Sequence, residues 1–307
     1  MHKTNEAFFS MGQLIGFETR QSLKRRDNIS LNNNKIKNSY YMNKDILHTW
    51  DNDPFFQYPK SAVSTSEGNV SLPILYFDNS NMIAIFRVDY NSAQAIVDPH
   101  HLTAIRISGG KALVGVAFYE YRKTSINPYN EVGVVIAALP KGTIAPKFPL
   151  LSLFYSLDKN RAGVYIVDLP VTTAAACAAG KEIWGYPKFV APISFELIGR
   201  KFRGTVRHPD YSGSLLTMSG IAGLGVPGPL LDLVLYSSHE GKTLRTLVNT
   251  RGGGRISLPG SIRLQAGNID HPMTNRLINL GLKDAKPAFV SYTHTLQSRL
   301  NAGAVMP

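Results

Sequence analysis

Ala112-Leu113-Val114-Gly115-Val116-Ala117-Phe118-Tyr119-Glu120-Tyr121 alternates small and bulky side chains, the period-two pattern of a half-buried strand. Runs of similar texture lie on both sides of it, at residues 82–88, 104–107, 132–139, 163–169, 190–197, 202–207, 230–236 and 289–294. Between them stand Gly109-Gly110, Asn127-Pro128, Pro140-Lys141-Gly142, Asp158-Lys159-Asn160, His208-Pro209-Asp210 and Gly252-Gly253-Gly254. These are residues that supply positive φ, a fixed φ or local side-chain bonds to a turn. Strands so closely spaced favour antiparallel pairing, so the fold class is α+β with mainly antiparallel sheet.

Few helices interrupt this texture. Tyr90–Val97 suits a short helix that Asp98-Pro99 ends, because a residue before proline is pushed out of the α region. Residues 170–184 suit a second, with Pro170 in its first turn, a row of small residues and Gly185 as breaker. Weaker helical patterns occur at 8–17, 148–155 and 273–282.

The first 60 residues differ from the rest. They carry 9 basic and 6 acidic side chains, with Arg20, Lys24, Arg25, Arg26, Lys35, Lys37 and Lys44 in an Asn/Ser-rich stretch. Only Tyr40 and Tyr41 stand near for base stacking, so a solvated extension at 1–60 is expected ahead of a domain at 61–307, and nucleic acid is not expected as a partner. The whole chain has 307 residues, a formal charge of +12 and 44% hydrophobic residues, which excludes a wholly disordered protein. A lone Cys177 excludes an internal disulfide and a Cys-based zinc site. No apolar run nears the ~20 residues of a membrane helix, and the N-terminus has no signal-peptide pattern, so a cytoplasmic protein is expected.

The segment with chemistry in it is Gly180-Lys181-Glu182-Ile183-Trp184-Gly185-Tyr186-Pro187-Lys188-Phe189. It places Lys188 after a rigid Tyr-Pro turn at a helix end, flanked by Trp184, Tyr186 and Phe189. An amine nucleophile must shed a proton it ordinarily holds up to about pH 10.4, and desolvation among aromatic rings or a nearby cation promotes that. A lysine whose stem covers the rings while its head stays wet would look the same in sequence.

This segment resembles the Schiff-base lysine segment of acetoacetate decarboxylases and their superfamily relatives, whose pattern is Gly-Arg-Glu-Leu-x-x-Tyr-Pro-Lys-Lys. Gly180, Glu182, Tyr186, Pro187 and Lys188 fall in register with it, Lys181 standing for Arg. Ile85-Phe86-Arg87-Val88-Asp89 resembles the family's early strand, and Tyr129-Asn130-Glu131-Val132-Gly133 its Tyr-x-Glu-x-Gly segment. Leu247-Val248-Asn249 and Ile262-Arg263-Leu264-Gln265 resemble its closing strands, so the likeness covers about residues 65–305.

The resemblance implies a cone- or barrel-like closed sheet, a higher homo-oligomer and a carbon–carbon lyase without cofactor. Lys188 would form an imine with a β-keto or 2-oxo acid, and Glu131 would position substrate or move a proton. Tyr186, Trp184, Phe189, Glu182 and Arg87 would contact the substrate. Decarboxylation is the foremost reaction; aldol or dehydration chemistry on pyruvate-like acids, or oxo-acid binding without turnover, are the alternatives. The sequence departs from the family where a second lysine would follow the nucleophile (Phe189), where an arginine would face the substrate carboxylate (Asn79) and where a second carboxylate would stand (Ala117).

Gly223-Leu224-Gly225-Val226-Pro227-Gly228 spells a dinucleotide fingerprint, but Pro227 and Pro229 occupy the start of the helix it needs, so a glycine-rich loop is expected instead. His100-His101 lacks metal-ligand spacing, and no metal is expected.

Overall fold

The computed structural model describes residues 50–144, 161–210 and 212–306. The chain divides into two compact units, Met1–Pro54 and Phe55–Pro307. Of the first, the described part is a short 3-10 turn at Trp50–Asn52; everything below concerns the second. The helical patterns at 8–17 and 148–155, and the turn at 158–160, lie outside the described residues.

In chain order the elements are β1 (Ser61–Thr65), β2 (Gly68–Leu72), β3 (Ile74–Asp89), α1 (Tyr90–Val97), β4 (Leu102–Ala104), β5 (Lys111–Thr124), β6 (Tyr129–Pro140) and β7 (Gly163–Asp168). There follow α2 (Ala174–Trp184), β8 (Ile193–Ile198), β9 (Lys201–Arg207), β10 (Ser214–Ile221), β11 (Gly225–Gly228), β12 (Leu233–His239), β13 (Lys242–Ser257), β14 (Arg263–Ala266), α3 (Pro272–Asn279), β15 (Asp284–Ala285) and β16 (Phe289–Val305). Hydrogen bonds run β13-β12-β7-β6-β5-β3-β16, and β16 pairs back to β13, closing a seven-stranded barrel. The only parallel pair in this ring is β7 with β12. A second sheet, β15-β14-β10-β9-β8, is antiparallel throughout.

The alternation that opened the sequence reading decides how the two sheets meet. Met82, Ala84 and Phe86 of β3, Val116 and Phe118 of β5, and Val132, Val134 and Ile136 of β6 share one face and are buried. They form one core with Phe202, Leu216 and Met218 of the second sheet and Met273 and Leu277 of α3. Phe118 meets Phe202 edge-on at 5.3 Å, and a Cβ at Gly204 would come 2.6 Å from the Phe118 ring, so only glycine lets β9 approach this closely.

α1 has the expected bounds. Asp89 caps it by accepting from Ser92 N–H at 3.0 Å, and the 3-10 turn Asp98–His100 carries the chain out. α2 does not begin at residue 170. Residues 170–173 lie outside the helix, Thr173 is its extended cap, and Val171 bridges both Glu131 and Val190; the β-branched run Val171-Thr172-Thr173 disfavours a helix's first turn.

Gly252-Gly253-Gly254 is also no turn, for β13 runs straight through it. A Cβ at Gly252, whose φ is 136°, would sit 2.0 Å from the Thr295 carbonyl oxygen of β16. The glycine therefore marks a close approach of two backbones inside a strand. The Gly223–Gly228 fingerprint likewise gives β11, an edge strand on β13, with no helix opening from it. Among the described residues no helix is long and apolar enough to cross a membrane.

Candidate active site

The site is built where α2 ends. Gly185 takes the left-handed conformation at φ 63°, its N–H bonding the Lys181 carbonyl at 3.0 Å, while Tyr186 N–H bonds the Gly180 carbonyl at 3.0 Å. The chain reverses, and Tyr186-Pro187-Lys188-Phe189 runs back beside residues 169–171. Leu169 N–H donates to the Pro187 carbonyl (3.3 Å), and Val171 N–H to that of Phe189 (3.0 Å). Because Val171 also bridges Glu131, the lysine segment is held one backbone away from β6. The Lys188 stem lies over Gly180, where a Cβ would stand 2.3 Å from its Cδ. That glycine is what lets the stem cross the helix.

Lys188 Nζ reaches Glu131 Oε2 at 2.7 Å, with the two side chains only 6% and 10% exposed. The other carboxylate oxygen, Oε1, accepts from the Tyr121 hydroxyl at 3.3 Å. Around this pair stand Tyr76, whose hydroxyl is 3.0 Å from that of Tyr129, and Tyr119, whose ring stacks on Tyr121 at 5.4 Å. Lys188 Nζ lies 5.7 Å from the Tyr129 ring centre. Burial first, and then the Glu131 charge, push the phenols of Tyr76, Tyr119, Tyr121 and Tyr129 well up. Burial does the same to Tyr186. These rings hold their protons at neutral pH; Tyr121 serves Glu131 as a neutral donor and the others wall the pair. An open depression of about 370 Å³ at the β5–β6 end of the barrel is lined in part by Tyr121 and Tyr129.

Of the residues expected at the site, Lys188, Glu131, Tyr186 and Trp184 come together. Trp184 stacks on Tyr186 at 5.7 Å, and its Nε1 donates to the Asn301 carbonyl at 3.1 Å. Phe189 follows the lysine but turns the other way, into the core between the sheets, where it packs on His271 at 5.1 Å. Glu182 is exposed on α2 and holds Ser66 N–H (3.0 Å) and Oγ (2.5 Å) at the β1–β2 turn. Those two bonds hold its carboxyl below the usual range, and its work is to pin the hairpin. Arg87 shares the face of Glu131 but sits six residues along β3 from Asn81, roughly 20 Å away, exposed and bonded to the Ser108 carbonyl at 3.2 Å. Neither Glu182 nor Arg87 belongs to the cluster.

The sequence reading missed Tyr119, Tyr121 and Tyr76. Its available signal was the alternation itself: once Glu131 is placed on one face of β6, Tyr129 two residues away shares that face, and so do their cross-strand partners Tyr121 and Tyr119. It also missed Asp168, buried at the end of β7 and paired with Arg276 of α3. Burial raises the Asp168 carboxyl, and Arg276 opposes that rise.

Comparison with known proteins follows this geometry. Residues 60–272 match the family model described as acetoacetate decarboxylase. The acetoacetate decarboxylase of Legionella pneumophila superposes with a TM-score of 0.55 at 15% identity, over 84% of this chain and 95% of that one. An acetoacetate decarboxylase-like enzyme from Sphingomonas wittichii gives 0.52 at 12%, over 78% and 94%. The enduracididine biosynthesis enzyme MppR, complexed with the condensation product of pyruvate and imidazole 4-carboxaldehyde, gives 0.51 at 14%, over 76% and 88%. No curated protein sequence matches this chain. The structural likenesses bear on the barrel alone, and the family match spans more than half of the chain and contains both Glu131 and Lys188: the chain belongs to the acetoacetate decarboxylase family.

Proposed function

We propose that Lys188 is the nucleophile of an imine-forming lyase acting on a β-keto or 2-oxo acid, with decarboxylation its foremost reaction. The observation that carries this reading is the buried pair itself, Lys188 Nζ 2.7 Å from Glu131 Oε2 within a wall of tyrosines. Apolar residues of similar volume in place of a buried ion pair are often neutral or stabilising, so the fold has little need of it. Reaction chemistry does.

An amine attacks as its free base, and Glu131 Oε2 stands where it can take the proton. Nζ then adds to the substrate's carbonyl carbon, and the carbonyl oxygen leaves as water after two proton transfers, giving a protonated imine. With a carboxylate β to that carbon, the C–C bonding pair flows into the iminium, carbon dioxide leaves and an enamine remains. A proton delivered to carbon and hydrolysis of the imine return Lys188. Tyr121 holds Oε1 throughout, so Glu131 keeps Oε2 towards the nitrogen.

A second reading is favoured by the same carboxylate. A 2-oxo acid has no β-carboxylate to lose, but Glu131 is placed to take an α-proton from its imine, and the resulting enamine adds to an aldehyde or expels a β-hydroxyl. The complex of MppR, a protein of similar fold, with the condensation product of pyruvate and imidazole 4-carboxaldehyde supports this reading.

Borohydride trapping decides between them. Incubation with acetoacetate, and separately with pyruvate, is expected to leave a reduced adduct on the peptide containing Lys188, and carbon dioxide is expected from acetoacetate. An adduct with pyruvate but no carbon dioxide from acetoacetate selects the second reading. Absence of any adduct across a panel of oxo acids sinks both.

A further inference from the structure

Beside the reactive pair lie buried polar groups that the imine chemistry does not use. In the barrel Asn81 stands opposite Tyr119, which stands opposite Glu131; one row along, Asn79 stands opposite Tyr121, which stands opposite Tyr129. Directly opposed residues on neighbouring strands share a face, so Asn79 and Asn81 occupy the Glu131 face of β3. Asn79 is fully buried and Asn81 is 3% exposed. Neither amide atom of Asn79 has a hydrogen-bond partner, nor does Oδ1 of Asn81.

A buried amide without partners forfeits the bonds it makes to water in the unfolded chain, and an apolar residue of the same shape would pack there at less cost. Two such asparagines, two residues apart and in register with the catalytic rows, point to a group that joins them from outside the chain. We infer that Asn79 and Asn81 form an uncharged subsite that binds a hydroxyl or carbonyl oxygen on the substrate's chain. The substrate of Lys188 is then an oxo acid carrying a further neutral oxygen beyond the reacting carbonyl. This rests on the imine reading of Lys188.

The chemistry of the rows supports a neutral oxygen over a second carboxylate. A carboxamide offers both a donor and an acceptor, which matches a hydroxyl. The cross-strand partners of the two asparagines are Tyr121, Leu296, Tyr119 and Thr293, none of them a cation. Two strand spacings, about 10 Å, separate the backbones of Asn81 and Glu131, and both side chains lie on one face, so the extra oxygen lies a few bonds from the carbon attached to Lys188.

The test compares 3-oxohexanoate with 5-hydroxy-3-oxohexanoate, and 2-oxopentanoate with 4-hydroxy-2-oxopentanoate, on the full chain. In the wild type the hydroxylated member of a pair is expected to give half-maximal borohydride trapping on Lys188 at about tenfold lower concentration. Its stabilisation of the protein against heat is expected at correspondingly lower concentration. Asn79→Leu is expected to remove both preferences, so that the two members of each pair are trapped at equal concentration. Equal trapping and equal thermal stabilisation by both members of a pair overturn the subsite, as does a preference that survives in Asn79→Leu, which would leave the amides to a bound water only. Failure of every acid to be trapped counts against the imine reading; a thermal preference for the hydroxylated acids that Asn79→Leu abolishes would uphold the subsite even then. Should Asn79→Leu not fold, Asn81→Leu, which removes the other carboxamide and its unpartnered oxygen, carries the same comparison.

Discussion

Met82, Phe118 and Val132 form one row across β3, β5 and β6; Asn81, Tyr119 and Glu131, each one residue away in sequence, form the next row on the opposite face. The first row is fully buried among apolar side chains of the second sheet and α3. The second holds a buried carboxylate, a half-buried phenol ring and a buried amide whose oxygen lacks a partner. One set of strands thus carries two environments, separated only by the pleat. On one face, burial of apolar area supplies stability at about 25 cal/mol per Å²; on the other, polar groups are held out of water at a cost that the first face offsets. The barrel separates holding together from doing chemistry by residue parity.

The largest expected effect comes from breaking the polar row. Lys188→Met keeps the stem over Gly180 but leaves Glu131 buried without its cation. All borohydride adduct is expected to vanish, and denaturant unfolding is expected to show a loss of about 3–5 kcal/mol. Adding Glu131→Gln should restore most of that stability without restoring the adduct, since the pair is costly to halve and cheap to remove whole. If the double variant stays as unstable as the single one, the polar face contributes to the fold in a way this comparison denies.

The apolar row should behave in the opposite manner. Phe118→Ala opens a cavity against Phe202 and Gly204 and is expected to cost about 3–5 kcal/mol in denaturant unfolding, with trapping on Lys188 unchanged in the protein that remains folded. A Phe118→Ala variant that keeps its stability but loses the adduct would show that the two faces are coupled through the strand, and the division by parity would fall.

Much of this division is visible in the sequence. The alternation at residues 112–121 predicts β5, and Tyr-Pro-Lys after a small-residue helix predicts how Lys188 is presented, because both are local patterns. Partners are less visible. The contact of Tyr121 with Glu131 is made across a strand pair, and that of Lys188 with Glu131 spans 57 positions in sequence. Glu182 and Arg87 fit the family pattern in one dimension, yet helical and strand geometry send the first to the β1–β2 turn and the second to the far end of β3. Gly252-Gly253-Gly254 reads as a turn in sequence although β13 passes through it, because a glycine needed for the passage of a neighbouring backbone is spelled like a glycine needed for a turn.

The smallest expected effect lies where the two faces meet. Phe189, next after Lys188, leaves the chemical face and packs at a tilt on His271, the residue that caps α3 by accepting from Met273 N–H at 3.2 Å. Burial, then His208 and Arg276, hold the His271 pKa below its ordinary 6.5, with Asp270 opposing. Only the neutral ring can accept from Met273 through Nδ1, so protonation undoes the cap. The unfolded chain therefore binds a proton that the folded one resists, and stability present above about pH 6.5 is lost as pH falls towards the lower folded pKa. Thermal melts from about pH 8 to about pH 5.5 should show the decline, and His271→Ala should flatten its part of it while lowering the plateau by about 0.5–2 kcal/mol for the missing cap. A wild-type melting temperature that rises on acidification through this window would mean that protonation of the buried Asp168 carboxyl, which burial already pushes up, outweighs the loss of the histidine cap.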